Sequence, residues 1–192
     1  MVRMIFFLFG RPGAGKTFIG RRLAHEWGKP YLDGDDFYTL HDQQVLRDGV
    51  ISDHDSDAFL DRLLGYLVTC PRDDVTVTSQ SLFRASQRKR VKEILGGQVF
   101  LVYLRVPEEM CYQRLARRET AGDPRVGGKV FPYGSEQFRR EANAYEEPGR
   151  NTVDVWYDNR GTIGETIRGI RTELERRFDL SANRVTSEMP VS

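Results

Sequence analysis

The sequence predicts an α/β domain in which a doubly wound, five-stranded parallel sheet carries a phosphate-binding loop. Two observations lead to this prediction. Short apolar runs alternate with longer segments of helical periodicity, which is the pattern of parallel strands joined by helices. The first apolar run leads directly into a glycine-rich segment that ends in Lys-Thr, giving the order strand, loop, helix of a nucleotide-phosphate site. For a chain of 192 residues we expect one domain, over residues 1–180.

The elements follow from hydrophobic periodicity. The strand candidates are Ile5–Phe9, Pro30–Asp33, Val75–Ser79, Val99–Leu104 and Val153–Tyr157. The helical patterns cover Lys16–Trp27, Asp57–Thr69, Ala85–Leu95, Pro107–Glu119, Ser135–Tyr145 and Ile163–Phe178. Residues 120–134 are rich in glycine, proline and charge, which suits a mobile flap. Residues 181–192 carry Ser, Asn, Thr and Pro, and we expect a disordered tail there.

Residues Gly10–Thr17 read G-R-P-G-A-G-K-T, a complete phosphate-binding loop. The three glycines have no Cβ and allow backbone N–H groups to wrap around phosphate oxygens, so the predicted nucleotide contacts are Gly10, Gly13, Ala14, Gly15, Lys16 and Thr17. Lys16 is predicted to reach the β- and γ-phosphates, and the Thr17 hydroxyl to hold Mg²⁺. The following helix points the positive end of its dipole at the anion. The predicted cofactors are therefore ATP and Mg²⁺.

Composition excludes several other classes. Lys and Arg total 29 against 28 Asp and Glu, so the net charge of +1 gives no general attraction to nucleic acid or to an anionic membrane. The two cysteines, Cys70 and Cys111, lie in apolar-patterned segments and are predicted to be reduced, buried thiols of a cytoplasmic protein. The apolar stretch Met4–Phe9 is too short for a membrane span or a secretory signal, so no membrane partner is expected.

Acidic residues narrow the class of phosphate-loop protein. The chain has no guanine-reading Asn-Lys-x-Asp motif, and the apolar strand at Val75–Ser79 ends in Ser79 and Gln80 instead of a carboxylate. The second strand ends in Asp33, Gly34, Asp35 and Asp36. Carboxylates there favour a small-molecule kinase, in which one organises Mg²⁺ through water and another takes the proton of an acceptor hydroxyl. An acidic turn that only caps the next segment is the alternative.

The chain resembles the gluconate kinase and shikimate kinase branch of the nucleoside-monophosphate-kinase-like P-loop family. The resemblance extends from Ile5 to about Ile170 and includes, besides the phosphate loop, Leu32–Asp35, Gly49–Asp55, Thr78–Ser79 with Arg84 and Arg88, Val102–Leu104, and Arg114–Arg118. It implies the strand order 2-3-1-4-5, an acceptor-binding region at about 35–70, and a lid at about 118–134. It also implies transfer of the γ-phosphoryl group of ATP to a hydroxyl, with a gluconate-like sugar acid as the first guess.

The resemblance also implies roles for individual residues. Asp33 would orient metal-bound water, and Asp35 would be the base, with Asp36 as the alternative. Arg118 would stabilise the transferring group from the lid, with Arg114 or Arg117 as alternates and Arg114 also near the nucleotide.

Further roles concern the two substrates. Arg84 and Arg88 are four apart, share a helix face and are predicted to hold the acceptor. Asn159 and Arg160 would contact the adenine. A helix cap at Thr162 and Glu165 explains the same loop equally well, and both functions can coexist.

Departures from the family leave the acceptor open. Gluconate kinases usually carry His-Pro after LDGD and Asp-Arg further on, whereas this chain has Asp36-Phe37 and Asp55-Ser56. A nucleoside or nucleotide kinase, with Phe37, Tyr38 and Phe83 stacking on a base, is one alternative. A polynucleotide-end kinase or nucleic-acid-binding protein using residues 84–92 is another, not favoured by the net charge. A nucleotide-sensing protein without turnover is a third. The oligomeric state, monomer or homodimer, is also open.

Overall fold

The fold is built on a five-stranded, all-parallel sheet with strand order β2-β3-β1-β4-β5, as predicted. This computed structural model describes residues 3–48, 52–70, 75–120, 143–159 and 161–178. The strands are β1 (Met4–Phe9), β2 (Tyr31–Asp33), β3 (Val75–Ser79), β4 (Val99–Arg105) and β5 (Val155–Asp158). The register pairs Leu8 with Ser79 and Asp33 with Ser79, so β1, β2 and β3 end at the same edge.

Helices flank the sheet on both sides. They are α1 (Lys16–Trp27), α2 (Leu40–Asp48), α3 (Asp53–Thr69), α4 (Ala85–Leu95), α5 (Glu108–Thr120) and α6 (Ile163–Phe178). Short 3₁₀ turns cover Gly34–Phe37, Gly96–Gln98 and Arg150–Thr152. The bounds of α1, α4 and α6 agree with the sequence prediction, because each combines a clear apolar stripe with a defined end.

Two helices differ from the prediction. Helix α2 was not predicted, because its sequence is largely polar; Thr39 and Asp42 cap its first turn reciprocally, and Arg62 of α3 holds Asp42 in an ion pair. Helix α3 begins at Asp53 instead of Asp57, because Ser52 and Asp55 form a capping box. Of the predicted helix over Ser135–Tyr145, only residues 143–145 are described, and the tail at 181–192 lies outside the described residues.

The core has two layers, which alternate along β1. Phe6 and Leu8 face the side covered by α1, α5 and α6. Ile5, Phe7 and Phe9 face the side covered by α3 and α4. Because both faces are buried, β1 reads as a continuous apolar run. Buried polar side chains lie where the parallel strands end, among them Asp33, Ser79 and Gln80.

The cysteines are both free thiols, as predicted. Cys111 is buried, and burial raises the pKa of its thiol. Cys70 is only half-buried, which corrects the expectation of full burial, because it lies at the end of α3. Among the described helices, none combines the length and the apolar character needed to cross a membrane.

Candidate active site

The phosphate loop connects β1 to α1 and adopts a backbone that its glycines require. Gly13 has φ +82°, and Gly15, the N-cap of α1, has φ +87°. A Cβ on Gly13 would lie 2.6 Å from the carbonyl oxygen of Cys111 at the start of α5, so a side chain has no room there. Lys16 Nζ donates hydrogen bonds to the carbonyls of Gly10 at 3.1 Å and Arg11 at 3.0 Å. The loop is thus a concave surface with a cation folded over it, as binding of a phosphate chain requires.

Asp33 lies at the end of β2, next to this loop. It is only 3% exposed; one carboxylate oxygen accepts the Asp35 N–H at 3.3 Å, and the other lies 3.4 Å from Arg21. Burial raises the pKa of Asp33, and Asp36 adds to that effect, whereas Arg21 and Lys16 oppose it. Because the nearby positive charges only partly offset the cost of burying the charged carboxylate, a cation bound beside Asp33 would stabilise its ionised form.

The other two acidic residues lie on the turn Gly34–Phe37. Asp35 is half-buried and Asp36 is exposed. The close approach of Gly34 to Gln80 positions this turn, because a Cβ on Gly34 would lie 2.8 Å from the carbonyl oxygen of Ser79. Both carboxyl groups therefore remain candidates for the base.

Hydroxyl groups join β2, β3 and the phosphate loop. The Tyr31 hydroxyl lies 2.6 Å from Ser79 Oγ and is close to the side chain of Thr17. Burial raises the pKa of Tyr31. Its ring packs on α1 where Gly20 leaves space, since a Cβ there would lie 2.6 Å from the ring. Tyr31 was not predicted as a site residue, because its position beside the helix glycine Gly20 is apparent only in three dimensions.

The predicted acceptor arginines have different surroundings. Arg84 is the N-cap of α4 and forms ion pairs with Asp53 and Asp57 of α3. Arg88 is 5% exposed, donates to the Leu82 carbonyl at 2.9 Å and lies over the Phe9 ring. Within the described part of the chain, no carboxylate forms an ion pair with Arg88. Gln80, 6% exposed, likewise has a buried Oε1 without a hydrogen-bond partner among those residues.

Arg11 of the phosphate loop was also missed by the sequence analysis. Its guanidinium lies 3.5 Å from Glu108 on α5 and 3.6 Å from Glu147, and it covers the Tyr145 ring. Glu147 in turn accepts a hydrogen bond of 2.6 Å from the Tyr103 hydroxyl. These contacts tie the segment that precedes β5 to the loop.

Asn159 supports the phosphate loop. It is 3% exposed; its Nδ2 donates to the Ala14 carbonyl at 3.2 Å, and its Oδ1 accepts from Thr166 Oγ1 at 2.5 Å. The side chain that was predicted to contact adenine therefore has both polar ends engaged in protein contacts. Thr162 and Glu165 cap α6 as the alternative predicted.

The remaining predicted residues are only partly described. Arg114 is half-buried on α5, at the end of which Arg118 lies, with its side chain outside the described part. Arg160 and residues 121–134 of the predicted lid are also outside it. Their roles stay predictions.

A phosphate loop beside the buried carboxylate of Asp33 at the carboxyl edge of a 2-3-1-4-5 sheet defines a P-loop nucleotide-binding protein of the small-kinase type. The chain belongs to the AAA domain family, whose sequence model matches residues 5–148.

Two curated relatives indicate the branch of the family, and one solved structure shares the fold. The chain is 35% identical to a gluconokinase of Arabidopsis thaliana over 91 residues, a match that covers 47% of each protein. It is 27% identical to shikimate kinase 2 of Syntrophotalea carbinolica over 151 residues, 78% of this chain and 86% of that one. A gluconokinase structure from Sinorhizobium meliloti shares the fold with a TM-score of 0.74 at 21% identity, over 94% of this chain and 96% of that one. The predicted resemblance to the gluconate and shikimate kinase branch is confirmed.

Proposed function

We propose that this protein is an ATP-dependent kinase that transfers the γ-phosphoryl group to a hydroxyl of a small anionic molecule, with a gluconate-like sugar acid as the first candidate. Relatives named gluconokinase and shikimate kinase support the reaction class. The observation that carries the choice of an anionic acceptor is the buried guanidinium of Arg88, which has no carboxylate partner among the described residues.

Burial makes this guanidinium informative. An uncompensated buried charge costs several kcal/mol, so proteins pair such charges or use them to bind ions. Arg88 lies in the first turn of α4, the helix that follows β3, at the edge of the sheet where Asp33 and Ser79 end their strands. A carboxylate or phosphate on the acceptor would complete the pair. The unpartnered Gln80 Oε1 would accept a hydrogen bond from an acceptor hydroxyl.

The donor site fits ATP and Mg²⁺ on its own residues. The phosphate loop, in which Gly13 and Gly15 have the positive φ that glycine favours, takes the phosphate chain, and Lys16 neutralises it. Thr17 and Asp33 would hold the metal, because hydroxyl and carboxylate oxygens suit a small hard cation. When bound, Mg²⁺ supplies neutralisation of the charge that develops between the β- and γ-phosphates.

In the phosphoryl-transfer step, the acidic turn and the lid arginine each have one role. The acceptor oxygen forms a bond to the γ-phosphorus, the bond from that phosphorus to the bridging oxygen breaks, and ADP leaves. Asp35 takes the hydroxyl proton, with Asp36 as the alternative. Arg118 stabilises the charge on the transferring group and, as part of the lid, helps to exclude water.

The alternative acceptors receive less support. Phe37 packs on Tyr66, and Tyr38 on Phe59, so neither ring is reserved for a nucleoside base. The positive run of α4 is paired: Arg90 with Asp61, Lys89 with Glu93 and Lys92 with Asp154. Neutralised in this way, the run is a poor surface for polynucleotides. We also propose a cytoplasmic location, where ATP is available.

The deciding experiment measures ADP release from Mg-ATP with a panel of acceptors. The panel contains sugar acids, their uncharged sugars and alditols, shikimate, nucleosides, nucleotides and oligonucleotides. We expect stimulation by an anionic acceptor, its loss in Lys16→Ala, and little change in the control Lys29→Ala. Arg88→Met should abolish the preference for the acid over the uncharged analogue.

Two results would contradict the proposal. Equal stimulation by an acid and its uncharged analogue would remove the role of Arg88. Nucleotide binding without stimulation by any acceptor would favour a sensing function.

A further inference from the structure

A short irregular segment, residues 145–148, lies between the phosphate loop and the beginning of α4, and we call it the strap. Tyr145 at one end is 6% exposed, and Pro148 at the other end is also buried. The Tyr145 ring belongs to the core layer on the side of the sheet that α3 and α4 cover. The strap is therefore anchored at both ends, which holds the two exposed glutamates between them, Glu146 and Glu147, at defined positions.

Glu147 connects the strap to the phosphate loop. Its carboxylate accepts a hydrogen bond of 2.6 Å from the Tyr103 hydroxyl and lies 3.6 Å from the guanidinium of Arg11. Arg11 is the second residue of the phosphate loop, and its carbonyl accepts a hydrogen bond from Lys16 Nζ at 3.0 Å. A shift of Arg11 would therefore also shift the lysine that faces the phosphate chain.

Glu146 connects the strap to the acceptor side of the site. Its backbone N–H donates to the Phe83 carbonyl at 2.8 Å, and its Oε2 accepts from the Ala85 N–H at 2.6 Å, in the first turn of α4. A carboxylate there also interacts favourably with the positive end of the helix dipole. The same connection between β3 and α4 contains the Leu82 carbonyl, to which Arg88 donates. Glu146 thus holds the segment that positions the proposed acceptor guanidinium.

The Tyr145 ring joins these two contacts. The Arg11 guanidinium covers the ring, with 4.9 Å between the guanidinium carbon and the ring centroid. The Phe83 ring meets it edge-on, with 6.0 Å between the two centroids. Because a close-packed interior transmits displacements, a shift of the strap at one contact should be felt at the other.

We infer that the strap positions the phosphate loop and α4 relative to each other, with Glu147 and Glu146 as its two positioning residues. The inference rests on the proposed function, because it assigns the means by which the donor and acceptor sites of that reaction keep their spacing. Phosphoryl transfer needs reacting atoms about 3–3.5 Å apart, and a misplacement of about 1 Å can cost on the order of 100-fold in rate. A direct connection between the two sites meets this requirement before either substrate binds.

The test measures, by calorimetry on the full chain, the affinity for two probes of the phosphate loop, MgADP and magnesium tripolyphosphate. Glu147→Ala should weaken both probes by roughly 2- to 30-fold. The informative variant is Glu146→Ala, because Glu146 binds α4 and its effect on the loop has to pass through the strap; we expect a loss in the same range. Glu146→Gln keeps an oxygen for the Ala85 N–H and should retain most of the affinity. The matched control is Glu93→Ala, which removes a glutamate of α4 that pairs with Lys89.

A second background separates positioning from a general loss of stability. Arg11→Met removes the side chain through which the strap holds the loop. In that background, Glu146→Ala should cause no further loss of affinity for either probe. Urea denaturation of every variant measures stability separately. With the acceptor that stimulates ADP release most, Glu147→Ala should in turn raise the KM for that acceptor.

Three results would overturn the inference. The first is unchanged affinity for both probes in Glu146→Ala, and the second is an equal loss in Glu93→Ala. The third is an equal effect of Glu146→Ala with and without Arg11. If MgADP binds but no acceptor stimulates ADP release, the proposed function fails, whereas the affinities of these variants still decide whether the strap connects α4 to the loop.

Discussion

Replacing Asn159 with alanine should weaken both the fold and the phosphate loop. The side chain is 3% exposed and bridges Ala14 to Thr166, which is 1% exposed. Alanine removes both hydrogen bonds and leaves the Thr166 hydroxyl buried without this partner. The backbone of residue 159 keeps its own bond to the Arg105 carbonyl, so the end of β5 stays in place.

The magnitude follows from these contacts. Two neutral hydrogen bonds contribute about 1 kcal/mol each, and the stranded hydroxyl costs about 1–3 kcal/mol. The free energy of unfolding should therefore fall by about 3–5 kcal/mol, which lowers Tm by roughly 6–20 °C in a domain of this size. Thr166→Val removes the stranded hydroxyl. The double variant should consequently be more stable than the sum of the single effects predicts, by about 2 kcal/mol.

Urea denaturation of the parent protein, the two single variants and the double variant measures this coupling between Asn159 and Thr166. Calorimetry on Asn159→Ala should also show weaker binding of both MgADP and magnesium tripolyphosphate, because the loop itself is loosened. Additive effects of the two substitutions, or a loss of less than about 0.5 kcal/mol for Asn159→Ala, would refute the structural role of this network.

Three further predictions concern the site. Because burial raises the pKa of Asp33, the folded protein holds this proton more tightly than the unfolded chain, and stability falls as pH rises from the ordinary aspartate pKa to the raised one. Asp33→Asn should remove that fall, so that the free protein is more stable near neutral pH but no longer shows Mg²⁺-dependent nucleotide binding. Urea denaturation of the parent protein and the variant from about pH 4 to 8 measures the effect, and identical pH profiles for the two would contradict this prediction. Gly13→Ala should abolish nucleotide binding and lower the free energy of unfolding by about 1–2 kcal/mol or more, because φ is +82° and the new Cβ would contact the Cys111 carbonyl. The control Gly65→Ala, which has open space around it, should have a neutral or stabilising effect. Thermal unfolding and nucleotide-binding measurements on both variants check this prediction. Arg88→Met should raise the free energy of unfolding by about 1–3 kcal/mol in the absence of acceptor, and a marked destabilisation would mean that its charge is already paired.

The sequence predicted local structure best where pattern and chemistry coincided. Strand β1, the phosphate loop and helix α1 follow one another in residues 5–27, where the apolar run, the glycine-rich motif and the helical periodicity are all clear. The apolar stripe of α6 likewise predicted where that helix begins and ends. Helix α2 was not predicted because its sequence is largely polar and it is stabilised by an ion pair with another helix, between Asp42 of α2 and Arg62 of α3. These two residues are far apart in the sequence, so a prediction from local sequence patterns does not detect their contact.

By itself, the sequence determined the fold class, the phosphate loop and the position of the acidic turn, because these depend on periodicity and on residues adjacent in the chain. Only the tertiary structure distinguished Arg84 from Arg88: the first meets carboxylates of α3, whereas the second is buried without one among the described residues. It also placed Asn159 beneath Ala14 and left Phe18 exposed beside α6. The physical reason is that pairing, burial and exposure are properties of neighbours in space, and the packing of α3 and α6 decides who those neighbours are.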